Sequence, residues 1–150
     1  MTKYKFHGYI LSTKEGIPIA IYPDTLPIDP VLFAGWLSAH LLIGKTLSKT
    51  LTPLQSENFE LTTLGPFLAI SVLDEKSGLI FTVFFDRSAI GDIHFINAYS
   101  KVPTAALEVI KKENIVDPTS SRLIKEKSDI LIKFLNIALK ESEKMYLQKG

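Results

Sequence analysis

Three histidines are the first residues to weigh for chemistry: His7, His40 and His94. An imidazole can pass a proton near neutral pH or ligate a metal. A metal site would need them to converge with carboxylates such as Asp86 or Asp92. Their spacings follow no ligand pattern, so half-buried structural histidines are the favoured reading. Asp86-Arg87-Ser88 follows an expected strand, where functional loops often lie. A serine nucleophile there needs a positioned base and an oxyanion hole. No Gly-x-Ser-x-Gly turn accompanies it, and Asp86 reads instead as a cap on the next helix. Gly44-Lys45-Thr46 copies the end of a phosphate-binding loop. The first glycine of that motif is replaced by Ala39, and the triplet ends an expected helix instead of starting one. Cysteine is absent, which excludes disulfides, thiolate metal sites and a cysteine nucleophile. No catalytic residue, metal or cofactor is expected, and the chain reads as a non-enzyme.

Charge narrows the partners. Lys and Arg total 17 against 16 for Asp and Glu, a net charge of +1. That leaves no basic field for nucleic acid, whose non-specific binding is mostly phosphate neutralisation. Phe81, Phe84 and Phe85 lack interleaved cations, so they read as core and not as a base-stacking platform. A length of 150 residues with 46% hydrophobic residues fits one folded domain over 1–150 and excludes disorder for most of it. The basic start lacks the apolar run and cleavage site of a signal peptide. No apolar stretch approaches the roughly 20 residues that span a bilayer. The longest, 31–43, is short and holds Ser38 and His40. The expectation is a soluble cytoplasmic protein with no transmembrane segment.

The elements that must position these residues follow from periodicity. Residues 6–12 read as a strand, Thr13 to Gly16 as a turn, and 17–22 as the return strand with Ile17, Ile19 and Ile21 on one face. Pro18 has no amide donor, which places that strand at an edge. Asp29-Pro30 predicts a helix start, the aspartate capping free amides and the proline fitting the first turn. The helix should run over 31–49 until Thr52-Pro53 breaks it. Residues 57–64 alternate as a half-exposed strand. Residues 67–73 and 79–85 form two more strands around the turn at 74–78, apolar on both faces, so both faces of the sheet centre should be covered. Residues 88–100 read as a short helix and 104–112, after Pro103, as another. Asp117-Pro118 repeats the helix-start dipeptide and predicts a last helix over 119–148, within a C-terminal helical segment 117–150.

The resulting class is α+β: a five-stranded antiparallel sheet in the order β-β-α-β-β-β, followed by C-terminal helices. Gly8-Tyr-Ile-Leu-Ser, then Lys14-Glu-Gly-Ile-Pro-Ile-Ala, then Leu32-Phe-Ala-Gly-Trp-Leu-Ser-Ala-His-Leu stand in this order. They resemble the first hairpin and following helix of the roadblock/longin superfamily, over about residues 6–100. One departure is the missing helix before the first strand; the long C-terminal helix is closer to a longin ending. The resemblance implies a scaffold that binds small GTPases or trafficking partners, often as a homodimer or a heterodimer with a related domain, with no catalytic residues of its own.

The first helix is unusual on its own terms. Its apolar residues exceed the stripe that sheet burial needs. One reading sandwiches it between the sheet and the terminal helix. The other turns one face into an interface, for which Phe33 and Trp36 are suitable anchors. The interface set is Leu32, Phe33, Trp36, Leu37, Ala39, His40 and Ile43. The alternative function is a small-ligand sensor of PAS- or profilin-like architecture, with a cavity between sheet and helices.

Overall fold

Alternating side chains and tight turns set five strands side by side. A computed structural model describes residues 3–50, 59–117, 119–120 and 122–149, the side chains of 42–50 and 149 excepted. The strands are β1 (Phe6–Thr13), β2 (Pro18–Tyr22), β3 (Phe59–Leu64), β4 (Phe67–Asp74) and β5 (Leu79–Asp86), with α1 (Pro30–Thr50) between β2 and β3. All neighbours pair antiparallel in the spatial order β2-β1-β5-β4-β3. Gly16 closes the first hairpin at φ +92°, a conformation open to glycine at little cost. Pro18 starts β2 at one sheet edge, as its missing donor requires. The break expected at Thr52-Pro53 and the first two residues of the expected third strand lie outside the described residues.

Register decides which helix meets which side chain. Ile10 stands opposite Thr82, and Thr82 opposite Ser71. These residues share one face, and α1 lies on it. Its core is Ile10, Phe33, Leu37, Ala69, Ile80 and Phe84, with Leu26 beneath the preceding loop. The alternate residues, among them Tyr9, Leu11, Ile70, Phe81 and Val83, point the other way and form a larger core with the later helices. Each fully buried Leu or Phe contributes about 1.5–3 kcal/mol. The two-sided apolar pattern of β4 and β5 is thereby matched by helices on both faces.

The later elements depart from the sequence reading at three places. Residues 88–100 are not one helix. A 3-10 turn, Arg87–Gly91, precedes α2 (Ile93–Tyr99), and Asp92 caps α2 by accepting from the Phe95 amide at 3.1 Å. Pro103 does not interrupt α3 (Lys101–Lys112) but sits in its first turn, where no amide partner is required. Asp117 does not begin a helix. It ends β6 (Val116–Asp117), which pairs with β7 (Arg122–Leu123), and its carboxylate accepts from the Thr119 amide at 2.8 Å, as aspartate does in turns. A second 3-10 turn, Lys125–Lys127, then leads into α4 (Ser128–Lys149). Lys127 donates to the carbonyl of Glu113 at 2.8 Å, just past the C-terminal end of α3, which suits a cation.

Candidate functional site

The N-terminal half of α1 is built from its cap outward. Asp29 Oδ1 accepts from the amides of Val31 at 2.9 Å and Leu32 at 3.3 Å, as Asp29-Pro30 predicts. Helical spacing then divides the apolar residues between two faces. Phe33 and Leu37 point inward, 5% and 0% exposed, with the Phe33 ring edge-on to Phe84 at 5.3 Å. These two members of the expected interface set belong to the core of their own chain. Leu32 and Trp36 point outward, 71% and 46% exposed. Gly35, Ala39 and His40 are exposed on the same side. The side chain of Ile43 lies outside the described residues.

Polar contacts tie α1 to β3 and to the first hairpin. The Trp36 ring stacks on His40 at 4.9 Å and 13°. His40 Nε2 lies 3.1 Å from Glu60 Oε1 on β3. Ser38 Oγ donates to the Lys14 carbonyl in the first hairpin turn. Between α1 and β3 runs a groove of about 540 Å³, walled by Leu32, Phe33 and Trp36 on the helix and by Thr62, Leu64 and Phe67 on the sheet. The turn that closes the groove, Gly65-Pro66, is tied down by Arg87. Its guanidinium donates to the Gly65 carbonyl at 3.1 Å and its amide to the Pro66 carbonyl at 2.9 Å.

β3 is also an edge. No described strand pairs with it on the side away from β4, so among the described residues no strand takes up the alternate backbone donors and acceptors there. α4 packs with α2 and α3 in the opposite core. The described part of the terminal helix therefore does not cover α1.

The other sequence candidates fall elsewhere. His7 donates from Nε2 to Asp86 Oδ1 at 2.6 Å. Asp86 makes no capping bond to the turn after it, contrary to the expectation. Its other oxygen accepts from the Lys5 amide at 2.9 Å. That amide and then His7 hold the Asp86 carboxyl below the ordinary aspartate value. His94 is exposed on α2, and Ser88 is exposed in the 3-10 turn. Gly44-Lys45-Thr46 lies within α1. Among the described residues, no three His, Asp or Glu side chains gather closely enough to hold a metal. No described helix is long and apolar enough to cross a membrane.

The sequence reading missed the sheet half of this groove. The alternation of β3 places Glu60, Thr62 and Leu64 on one face, but nothing in that pattern says which layer the face meets. The pairing Thr62↔Ala69 settles it, because Ala69 belongs to the α1 core.

No family model matches the chain, and no curated protein matches it. Among solved structures it is similar to MglB of Myxococcus xanthus. The two are 17% identical, with a TM-score of 0.46, over 55% of this chain and 66% of that one, slightly under two thirds. It is also similar to a Roadblock/LC7 domain from Streptomyces avermitilis, at 15% identity and a TM-score of 0.43, over 57% and 70% of the two chains. The chain itself is α+β, with an antiparallel five-stranded sheet and C-terminal helices.

Proposed function

We propose that this chain is a non-enzymatic, cytoplasmic interaction module. It pairs with a second copy, or with a related domain, through the outer face of α1 and the edge of β3. The paired form binds or regulates a small GTPase or a related trafficking or signalling partner. The observation that carries the reading is the outward stripe of α1, with Leu32 and Trp36 exposed beside an apolar groove and an open strand edge. Gly35 and Ala39 lie one turn apart on this stripe, and a Cβ built on Gly35 meets no atom within 4 Å. A partner backbone could therefore approach closely. Two copies related by a two-fold axis would bury the same stripe from both sides and join their sheets at β3. Tryptophan and large apolar residues at the centre of such a patch are typical binding anchors. The GTPase rests on the roadblock/longin resemblance over about residues 6–100.

Sedimentation velocity with circular dichroism tests the pairing. The wild type is expected to sediment as a dimer at micromolar concentration. Trp36→Glu places a charge in the stripe and should give folded monomers with an unchanged far-ultraviolet spectrum. A wild type that stays monomeric overturns the reading. For the partner, the wild type and Trp36→Glu are used as baits in an extract of the native cell, with any nucleotide in the bound fraction identified. Nucleotide-bearing protein retained by the wild type supports the GTPase assignment, and its absence counts against it.

A further inference from the structure

His40 joins the helix half of the α1–β3 face to its sheet half. Its ring stacks on Trp36, the exposed tryptophan of the stripe, at 4.9 Å and 13°. Its Nε2 lies 3.1 Å from Glu60 Oε1 on β3. Helix and sheet edge are thus linked through one imidazole, on the side of the groove that Trp36 walls. As a residue type, histidine changes charge between about pH 5 and 8, a range in which glutamate carries its charge throughout. A carboxylate attracts a cation directly, and the face of a tryptophan attracts one within about 6 Å of its centre. Both neighbours of His40 therefore complement an imidazolium.

Few other charges act on this ring. Three and four places from His40 along the chain stand Trp36, Leu37, Ile43 and Gly44, none of which titrates. From β3, Glu60 is the charged group that meets it among the described residues. The next residue on that face of the strand is Thr62, and the cross-strand partner of Glu60 is Ser71, both without charge. Lys14 and Glu15 of the first hairpin meet α1 at Ser38, about 200° round the helix from His40. The other two histidines stand apart: His7 is engaged by Asp86 at 2.6 Å, and His94 is exposed on α2.

In the separate chain this pair is worth little. The side chains of His40 and Glu60 are 43% and 41% exposed, and water screens an ion pair so open to it. A second copy seated on Trp36 would exclude water from the same spot. Around a neutral His40, that exclusion leaves the Glu60 carboxylate desolvated without a countercharge, which is costly. Around a protonated His40, it encloses a pair of no net charge joined by a charge-assisted hydrogen bond. We propose that each copy takes up a proton from solvent at His40 as two copies join, a proposal that rests on pairing through α1 and β3. By linkage, the state that binds more protons gains as protons become more abundant. The dimer therefore tightens as the pH falls from about 8 to about 6.

Sedimentation velocity over a concentration series of the full chain, at about pH 6 and about pH 8 and constant ionic strength, measures the dissociation constant. Circular dichroism at both values checks that the fold is unchanged. The wild type should pair about tenfold more tightly at the lower pH, the equivalent of one hydrogen bond to a charged group. His40→Gln keeps a polar side chain that cannot titrate, and should pair equally well at both. Glu60→Gln leaves His40 able to charge but takes away its carboxylate, and should also lose the tightening. A wild type that is monomeric at both values overturns the pairing and the proton uptake together. A dimer equally tight at both, or tighter at the higher pH, overturns the proton uptake alone and leaves the pairing in place. A tightening that survives either His40→Gln or Glu60→Gln does the same.

Discussion

Gly8 has no room for a side chain. It sits where the register between β1 and β5 shifts, at φ +148°. A Cβ there would overlap the Tyr22 carbonyl oxygen and stand 2.8 Å from Pro23 Cδ. Both obstacles belong to the backbone or to a ring bonded to it, so neither can swing aside cheaply. Gly8→Ala should cost about 2–4 kcal/mol, read as a lower urea midpoint with an unchanged slope; a loss under about 1 kcal/mol would show that the edge gives way. Three aspartates act at the same scale. The Ser77 hydroxyl holds Asp74 below its ordinary value, the Lys5 amide does so for Asp86, and the Tyr146 hydroxyl for Asp92. A folded value below the unfolded one contributes stability that is complete above the ordinary aspartate value of 3.8 and is lost as pH falls through the folded values. The urea midpoint should therefore fall steeply below about pH 4, and Asp92→Asn should blunt that fall. The pairings of Asp86 and Asp92 were not legible beforehand, since Asp86 meets His7 across 79 positions of sequence and Asp92 meets Tyr146 across 54, and spacing along the chain carries no such information.

At the scale of elements, the same dipeptide gave one right reading and one wrong one. Asp29-Pro30 starts α1 because apolar residues follow at helical spacing, and packing Phe33 and Leu37 against the sheet holds the helix in place. Asp117-Pro118 is followed by Thr119, Ser120 and Ser121, whose side chains favour turns. Val116 and Leu123, on either side of this stretch, pair instead. Strand boundaries were easier, because alternation bounded by Gly and Asp turns is a strong local signal. The faces of α1 separate cleanly under mutation. Leu37→Ala, at a position with no exposure, should cost about 2–5 kcal/mol in urea unfolding while leaving the proposed self-association intact in whatever fraction stays folded. A Leu37→Ala variant of full stability would contradict the inward assignment. Trp36→Glu is the reverse case.

The molecule as a whole has three layers: α1, the sheet, and α2 to α4. β1, β4 and β5 supply side chains to both cores, Ile10 to one and Tyr9 and Leu11 to the other. The sequence made this sheet legible but left its layering open. When both faces of β4 and β5 are apolar, the pattern reads the same whichever helix lies on which side, and only register and connection direction break the tie. Hence the terminal helix, which could have covered α1, lies across the sheet from it. The two edges of the sheet differ as well. β2 begins with a proline and has β7 against it, whereas no described strand follows β3. Under the proposed pairing through β3, that asymmetry would set a stoichiometry. A sheet open at both ends could add copies without limit and grow into a filament, but a sheet that joins at one end only is a chain terminator for its own polymer. If copies pair edge to edge through β3, as proposed, that open end of each described sheet is used up and growth halts at two.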